Sequence, residues 1–335
     1  MRTIQGKELV YVRMKEAQML KGTKKILDTC VGIKPGESLL VVADMNKETI
    51  GQVLVSLALE RGAEATLAII TPRTRAGQEP PKAIAEAMKH SDVVLCPVSY
   101  SITHTYAVKE AAASGARLLV LTDFTEDMLI SGGIEADFAA VKPICKGVAA
   151  AFAAGQRVHL TTPAGTDLTM DITGRRGNAL YCMVEPGEFS TIPTVEANVS
   201  PIEGTANGRI VADASVPYLG IGLLDEPIVL DVRDGFITSI TGGRQADILR
   251  QDLESHNDKN SFNVAELGVG LNPKCKMIGI MLEDEGVINT AHIGIGTSIT
   301  LGGVTKAPCH YDVLMWNPRV EVDGKLVIDR DKALV

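Results

Sequence analysis

Short, apolar, β-branched runs alternate with helical patterns through the first half of the chain. The runs predicted as buried strands are SLLVVAD from Ser38, ATLAII from Ala65, VVLCPV from Val93 and RLLVLTD from Arg117. Helical spacing of apolar residues lies between them, from Val53 to Glu60, near Ala83 to Lys89 and from His104 onward. Such alternation is typical of a parallel sheet with crossover helices. It predicts a doubly wound N-terminal α/β domain that closes with a helix around Glu135 to Ala154.

After Gln156 the apolar period changes to two. The segments VHLTTPAG, DLTMDITG and RIVADASV alternate apolar and polar residues, and PIVLDVRDGFITSITGG contains the hairpin turn Asp234-Gly235. One helix is predicted from Arg244 to about His256. The predicted fold class is therefore α/β: a doubly wound parallel domain over residues 1–155, followed by a mainly antiparallel, β-rich α+β domain over residues 156–335. A chain of 335 residues is long enough for two such cores.

Composition and charge exclude several classes of protein. Hydrophobic residues make up 45% of the chain and charged residues 22%, the balance of a globular protein rather than a fibrous or disordered one. The net charge of -8 is spread along the chain without a basic stripe, so we expect no nucleic-acid partner. The most apolar stretch, from Gly147 to Gly155, is far shorter than the roughly 20 residues of a bilayer span. No membrane partner and a cytoplasmic location are expected.

Cysteine and glycine spacing argue against two common cofactor sites. The six cysteines form no CxxC pair, which fits reduced, packed thiols better than a zinc knuckle. No GxGxxG motif follows the first predicted strand, which leads into Asp44. The later pair Gly294 and Gly296 has Ile299 where the third glycine should stand. A nicotinamide cofactor is therefore not expected.

Candidate chemistry lies in the second half of the chain. His310 and Asp312 are two residues apart in a strand-like segment, so both side chains leave the same face and can reach one ion. Cys309 and Tyr311 point to the opposite face. His292 stands in an apolar, glycine-rich strand, where an imidazole needs a hydrogen-bond partner or a metal. The two segments together favour a ligand role for all three residues.

Two carboxylates extend this candidate set. Glu266 lies between Ala265 and Leu267 on a predicted core strand, where an unpaired carboxylate would cost several kcal/mol. A metal ion or a Lys or Arg partner would offset that cost. Glu196, in IPTVE, either supplies one more oxygen ligand or is an exposed loop carboxylate. Two imidazoles with two or three carboxylates fit a co-catalytic zinc, cobalt or manganese pair, or a single Fe(II).

Five ordered segments carry a resemblance to a known family over nearly the whole chain. They are PAGTDL from Pro163, IPTVE from Ile192, AELGVGLNP from Ala265, AHIGIG from Ala291 and CHYD from Cys309. The chain resembles the aminopeptidase T and aminopeptidase S group of metallopeptidases, together with its relative 2,5-dihydroxypyridine 5,6-dioxygenase. The peptidase resemblance implies a pair of divalent metals and a homodimer. Its metal ligands would be Glu196, Glu266, His292, His310 and Asp312.

The dioxygenase resemblance implies a different centre. That relative holds one iron with His, His and Asp, and has a histidine at the position of Glu266 and an apolar aromatic at that of His292. The ligand types of this chain therefore favour the peptidase. Other segments favour the dioxygenase, since GGRQADILRQDL from Gly242 and APCH from Ala307 resemble it, and no Tyr follows AHIGIG where the peptidases use one.

The predicted function is metal-assisted removal of N-terminal amino acids from a small peptide. His310, Asp312 and His292 would hold one ion, Glu196 and Glu266 would hold or bridge to the second, and the unbridged carboxylate would move the proton. Glu266 is thus predicted to be catalytic as well as a ligand.

Two alternatives stay open. One is an Fe(II) extradiol-type dioxygenase acting on a small molecule. His104, at the end of a parallel strand, would then be a catalytic proton carrier. The other is a structural metal or salt-bridge cluster in a binding module.

Overall fold

A computed structural model describes residues 4–103 and 105–335, with side chains from residue 14 onward. The helices are α1 (Ile4–Lys24), α2 (Glu48–Glu60), α3 (Lys82–Lys89), α4 (Tyr106–Ala113), α5 (Glu126–Ile130), α6 (Phe138–Ala154), α7 (Arg244–Ser255) and α8 (Met281–Asp284). A π-helical turn, Lys25–Cys30, follows α1, and short 3-10 turns lie at Gly133–Glu135 and Lys259–Phe262.

The strands are numbered in chain order. They are β1 (Ser38–Asp44), β2 (Glu64–Ile70), β3 (Val93–Val98), β4 (Arg117–Thr122), β5 (Arg157–Thr161), β6 (Asp167–Asp171), β7 (Gly177–Leu180), β8 (Phe189–Thr191), β9 (Glu196–Val199), β10 (Asn207–Ala212), β11 (Ser215–Val216), β12 (Gly222–Leu223), β13 (Ile228–Arg233), β14 (Phe236–Thr241), β15 (Val264–Gly270), β16 (Thr290–Gly296), β17 (His310–Trp316), β18 (Arg319–Val322), β19 (Lys325–Asp329) and β20 (Lys332–Ala333).

The chain forms two compact units, here called the parallel unit (residues 1–138 and 182–192) and the antiparallel unit (residues 139–181 and 193–335). This division differs in two places from the boundary predicted at residue 155. Most of α6 groups with the antiparallel unit, where the Cys145 thiol donates to the backbone oxygen of Glu196 at 3.0 Å. Residues 182–192 group with the parallel unit because β8 adds a fifth strand beside β4. Both are long-range contacts that the local period does not reveal.

The parallel unit contains one sheet in the order β2-β1-β3-β4-β8, with all neighbours parallel. Strands β3 and β4 are buried along their whole length, which explains their unbroken apolar sequences. The four predicted strands and the helices between them are present. The closing helix begins at Phe138 rather than near Glu135, because Ala136 has an extended backbone that separates it from the preceding 3-10 turn.

The antiparallel unit contains an eight-stranded sheet, in the order β14-β13-β10-β6-β5-β18-β19-β20, and a five-stranded sheet, in the order β17-β16-β15-β9-β7. In the predicted hairpin, Asp234 and Gly235 have φ of 50° and 79°, the left-handed values that a tight turn between strands requires. The predicted α/β fold class, a parallel sheet followed by antiparallel sheets, is confirmed. Among the described residues, no helix has both the length and the apolar character needed to cross a bilayer.

Candidate metal centre

The five-stranded sheet carries a polar cluster on one face of its central strands. Strands β15 and β16 have the same pattern, since Glu266-Leu-Gly-Val-Gly in one matches His292-Ile-Gly-Ile-Gly in the other. Glu266 lies opposite Gly294 and Gly268 lies opposite His292. Directly opposed residues of an antiparallel pair share a face. On that face, each strand therefore carries one candidate metal ligand, Glu266 or His292, followed along the strand by glycines.

Glycines on this face leave room for the imidazoles. A Cβ atom at Gly268 would lie 2.0 Å from Nε2 of His292. A Cβ atom at Gly294 would lie 2.7 Å from Cε1 of His310 and 2.8 Å from Cβ of Glu266. Real Cβ atoms do not approach other atoms so closely, so any side chain at either position would displace a ligand. The two glycines are thus part of the site's construction.

The five residues predicted as ligands come together in two groups. The inner triad consists of Glu196, Glu266 and His292, and the outer triad of Glu266, His310 and Asp312; the candidate ligand atoms of each lie within 4.8 Å of one another. Nε2 of His292 is 3.5 Å from Oε2 of Glu196 and 3.9 Å from Oε1 of Glu266. This grouping differs from the predicted one, which placed His292 with His310 and Asp312.

The outer triad shares Glu266 with the inner one. Nε2 of His310 is 3.0 Å from Oε2 of Glu266 and 3.4 Å from Oδ1 of Asp312. The two oxygens of Glu266 therefore face different imidazoles. On Nδ1 of the same ring, His310 donates to the backbone oxygen of Thr297 at 2.8 Å. That bond places a hydrogen on Nδ1, so that Nε2, which faces Oε2 of Glu266, is the nitrogen that can bind a metal in place of a proton.

Several buried atoms of the cluster have no hydrogen-bond partner among the described residues. They are Oε2 of Glu196, Oδ1 of Asp312 and Nδ1 of His292. Buried polar atoms are costly unless they are paired or coordinate a metal. Three carboxylates and two imidazoles, two of whose carboxylate oxygens have no hydrogen-bond partner in the described part of the chain, form a centre that can hold divalent metal ions. The residues thus fit the metal that their sequence suggests.

Electrostatics couple the five groups strongly. Burial raises the pKa of Glu196, and the neighbouring charge of Glu266 adds to this effect, to a value of about 7. Burial opposes the charge on His292, but Glu266 and Glu196 raise its pKa to about 9. Burial likewise opposes the charge on His310, yet Asp312 and Glu266 raise its pKa well above the usual range. In the metal-free centre, protons on the imidazoles thus compensate the carboxylates.

The pKa values of the other two carboxylates, Asp312 and Glu266, are lowered rather than raised. Burial would raise the pKa of Asp312, but the imidazoles of His310 and His292 lower it. Burial also acts on Glu266, and hydrogen bonds from His292 and His310 lower its pKa below the ordinary value. Both carboxylates are therefore charged at neutral pH and available as ligands.

Sequence reasoning missed two residues beside the outer triad. The Tyr218 hydroxyl donates to Oδ2 of Asp312 at 2.6 Å and lies 3.1 Å from Oε1 of Glu285. Burial, together with the charges of Asp312 and Glu196, raises the pKa of Glu285 well above the usual range. The run Glu283-Asp284-Glu285 was the available signal, because three consecutive carboxylates are buried there.

The inner triad has an orienting partner of its own. Nδ2 of Asn198 donates to Oε1 of Glu196 at 2.8 Å, and Nδ2 of Asn178 donates to Oδ1 of Asn198 at 2.7 Å. This chain of amides holds one oxygen of Glu196 and leaves Oε2 facing His292. Each triad therefore has one carboxylate fixed from behind by a neutral donor.

Of the remaining candidates, Cys309 and Tyr311 belong to neither triad. His104 falls outside the described residues, so its predicted catalytic role stays a prediction. Burial raises the pKa of the Cys309 thiol to about 11, and Cys309 belongs to neither triad. Tyr311, two residues further along the chain, packs its ring against that of Tyr218 with 5.2 Å between centroids.

Comparison with known proteins gives a family and a fold. The model of the 2,5-dihydroxypyridine 5,6-dioxygenase (NicX) family matches residues 18–334. A 2,5-dihydroxypyridine 5,6-dioxygenase from Pseudomonas putida (strain KT2440) is 28% identical over 182 residues, which cover 51% of this chain and 52% of the relative. The match thus spans about half the length of that relative.

Two solved structures resemble the chain over most of its length. The structure of 2,5-dihydroxypyridine dioxygenase from Pseudomonas putida KT2440 has a TM-score of 0.81 at 18% identity and covers 96% of this chain and 98% of its own. Wild-type AmpT from Thermus thermophilus has a TM-score of 0.68 at 15% identity and covers 96% of this chain and 100% of its own. Both likenesses establish the fold.

Proposed function

The chain belongs to the 2,5-dihydroxypyridine 5,6-dioxygenase family, but its candidate ligands form two groups around a shared carboxylate, and on that ground we propose that it is a two-metal hydrolase of the aminopeptidase type, which removes N-terminal amino acids from small peptides. The observation that carries the proposal is the position of Glu266, with Oε1 toward His292 and Oε2 toward His310. A carboxylate with one oxygen toward each of two ligand groups is suited to bridge a pair of ions.

The ligand types support two oxygen-rich sites. Each triad offers one imidazole and two carboxylates, a set suited to zinc, cobalt or manganese. The two imidazoles belong to different triads. The described residues therefore do not form the group of two His and one carboxylate that is typical of non-haem Fe(II) oxygenases.

The proposed mechanism assigns a separate task to each part of the centre. Bound divalent ions would polarise the scissile carbonyl and lower the pKa of a water toward neutrality. Glu266 would keep the two ions at a fixed separation. The His310 side chain is 26% exposed, against 1% for His292, so the outer triad is the one that a substrate can reach. Glu196, which belongs to the inner triad alone and is buried, would hold the inner ion.

A second candidate function is ring cleavage by a single Fe(II) with oxygen. The observation that favours it is the family match over residues 18–334, together with the relative of that name. His104 would then be the proton carrier. Glu266 argues against it, since it gives the outer triad one imidazole and two carboxylates, whereas two His and one carboxylate are typical of non-haem Fe(II) oxygenases.

Metal content coupled to activity separates the two candidates. Protein purified without chelator would be analysed for metals, stripped, and reloaded with Fe(II), Mn(II), Co(II) or Zn(II). It would then be assayed on amino-acid anilides and, with an oxygen electrode, on 2,5-dihydroxypyridine. We expect about two equivalents of metal and amine release with Mn(II), Co(II) or Zn(II). One equivalent of iron, with oxygen uptake and no hydrolysis, would overturn the hydrolase and establish the dioxygenase.

A further inference from the structure

The Tyr218 hydroxyl binds the one oxygen of Asp312 that does not face the outer triad. Oδ2 of Asp312 accepts from Tyr218 at 2.6 Å, whereas Oδ1 lies 3.4 Å from Nε2 of His310. A tyrosine has a single hydroxyl hydrogen, and the shorter contact is the one to Asp312. Tyr218 therefore holds Oδ2 and turns Oδ1 toward the position that an ion would take.

A fixed turn and two neighbours keep Tyr218 in place. Leu219 has φ of 58°, an uncommon conformation for a branched, non-glycine residue, and Gly220 follows with φ of 70°. The backbone N–H of Ile221 donates to the backbone oxygen of Tyr218 at 2.9 Å, which closes the turn. Oε1 of Glu285 lies 3.1 Å from the hydroxyl, and the Tyr311 ring packs against the Tyr218 ring. The structure thus holds this hydroxyl in one position.

We propose that Tyr218, supported by Glu285, is a positioning residue that orients Asp312 and so sets the metal affinity of the outer triad without changing that of the inner triad. The proposal rests on the two-ion centre proposed above. Groups that orient a metal ligand from behind typically change metal affinity by about 10- to 100-fold when they are removed. Tyr218 contacts Asp312, which belongs to the outer triad alone, so its influence should be confined to one of the two ions.

The inner triad provides the matching test position. Asn198 orients Glu196 by a donated hydrogen bond of 2.8 Å, as Tyr218 orients Asp312. Since Glu196 belongs to the inner triad alone, removal of the Asn198 amide should weaken the other ion. Tyr311 provides the control. Its hydroxyl bonds to Asp252 rather than to a ligand, although its ring touches Tyr218.

The experiment is a calorimetric titration of the metal-free protein with Mn(II), repeated with Co(II) while its visible absorption is recorded. The proteins compared are wild type, Tyr218→Phe, Asn198→Ala and Tyr311→Phe. We expect wild type to bind about two equivalents. Tyr218→Phe should weaken one equivalent by about 10- to 100-fold and leave the other unchanged. Asn198→Ala should weaken the opposite equivalent, and Tyr311→Phe should weaken neither.

Other results would overturn the inference. If Tyr218→Phe binds both equivalents as wild type does, or loses affinity for both equally, the positioning role is removed. The same loss in Tyr311→Phe would assign the effect to ring packing instead. A single equivalent bound by wild type would overturn the two-ion proposal itself, because that count is made without any change at Tyr218.

Discussion

The inner and outer triads use the same ligand types, one imidazole and two carboxylates, but they lie in different surroundings. The His292 side chain is 1% exposed and the His310 side chain 26%. The inner carboxylate is oriented by an amide within the sheet, and the outer one by a tyrosine from a separate loop. Equal chemistry with unequal access suggests unequal tasks. We infer that the inner triad retains its ion and that the outer triad exchanges its ion and meets the substrate.

Removal of the shared carboxylate should abolish the difference between the triads. Glu266→Gln keeps the side-chain shape but removes the one carboxylate that both imidazoles share. We expect neither ion to be retained after dialysis and kcat to fall on the order of 10³-fold. Elemental analysis and steady-state kinetics would measure both. Glu254→Gln, at an exposed position on α7, is the matched control, and retention of one tightly bound ion by Glu266→Gln would contradict the shared role.

Removal of one imidazole at a time should sharpen the comparison. His310→Ala should lose the outer ion and the activity but keep the fold, since the ring is partly exposed. His292→Ala should also lower the free energy of unfolding, by about 3 kcal/mol, because it leaves the buried Glu196 uncompensated. Metal analysis with chemical denaturation of both metal-free variants would test this. Equal loss of stability in the two variants would show that burial does not distinguish the triads.

The pH dependence of stability should show a smaller effect. The pKa of His292 is raised from 6.5 to about 9. Its contribution to the free energy of unfolding is therefore present in full below pH 6.5 and is lost as the pH rises through 9. The pKa of Glu196, raised to about 7 by burial, acts in the same direction between about pH 4.5 and 7. The metal-free protein should therefore lose about 3 kcal/mol between pH 6.5 and 9 on account of His292.

The metal-loaded protein should behave in the opposite way over the same range. Protons compete with metal for the imidazoles, so stabilisation by metal grows as the pH rises. Denaturation curves of both forms from pH 6 to 9 would measure the gap in Tm, which should widen with pH. A constant gap, or the same slope in His292→Ala as in wild type, would contradict the assignment.

The sequence predicted which side chains come together better than it predicted their arrangement. His310 and Asp312 were predictable because two residues along a strand return to the same face, and Glu266 because a carboxylate between apolar neighbours needs a partner. The pairing of His292 with Glu196 could not be predicted. It depends on the strand register, which sets Glu196 opposite Gly270 and Gly268 opposite His292. That register is a property of three strands together.

Tyr218 and parts of the fold could not be predicted for the same reason, since their contacts are to segments far away in the sequence. Tyr218 lies 94 residues from Asp312, in a segment without any recognised motif. The strands of the parallel sheet were predicted from their apolar runs, but the three-residue β8 is too short to give a pattern and is defined by its pairing with β4. Periodicity reports which face is buried, and it does not report which distant segment covers it.

The glycines opposite the ligands have a consequence for the evolution of this sheet. A side chain at Gly268 and an imidazole at position 292 exclude each other, and the same holds for Gly294 with the imidazole at position 310. Each imidazole therefore requires its glycine, so that related chains with an imidazole at position 292 or 310 should also have the facing glycine. A larger residue at position 268 would mark a relative that has given up the inner site, and this could be seen before any metal is measured.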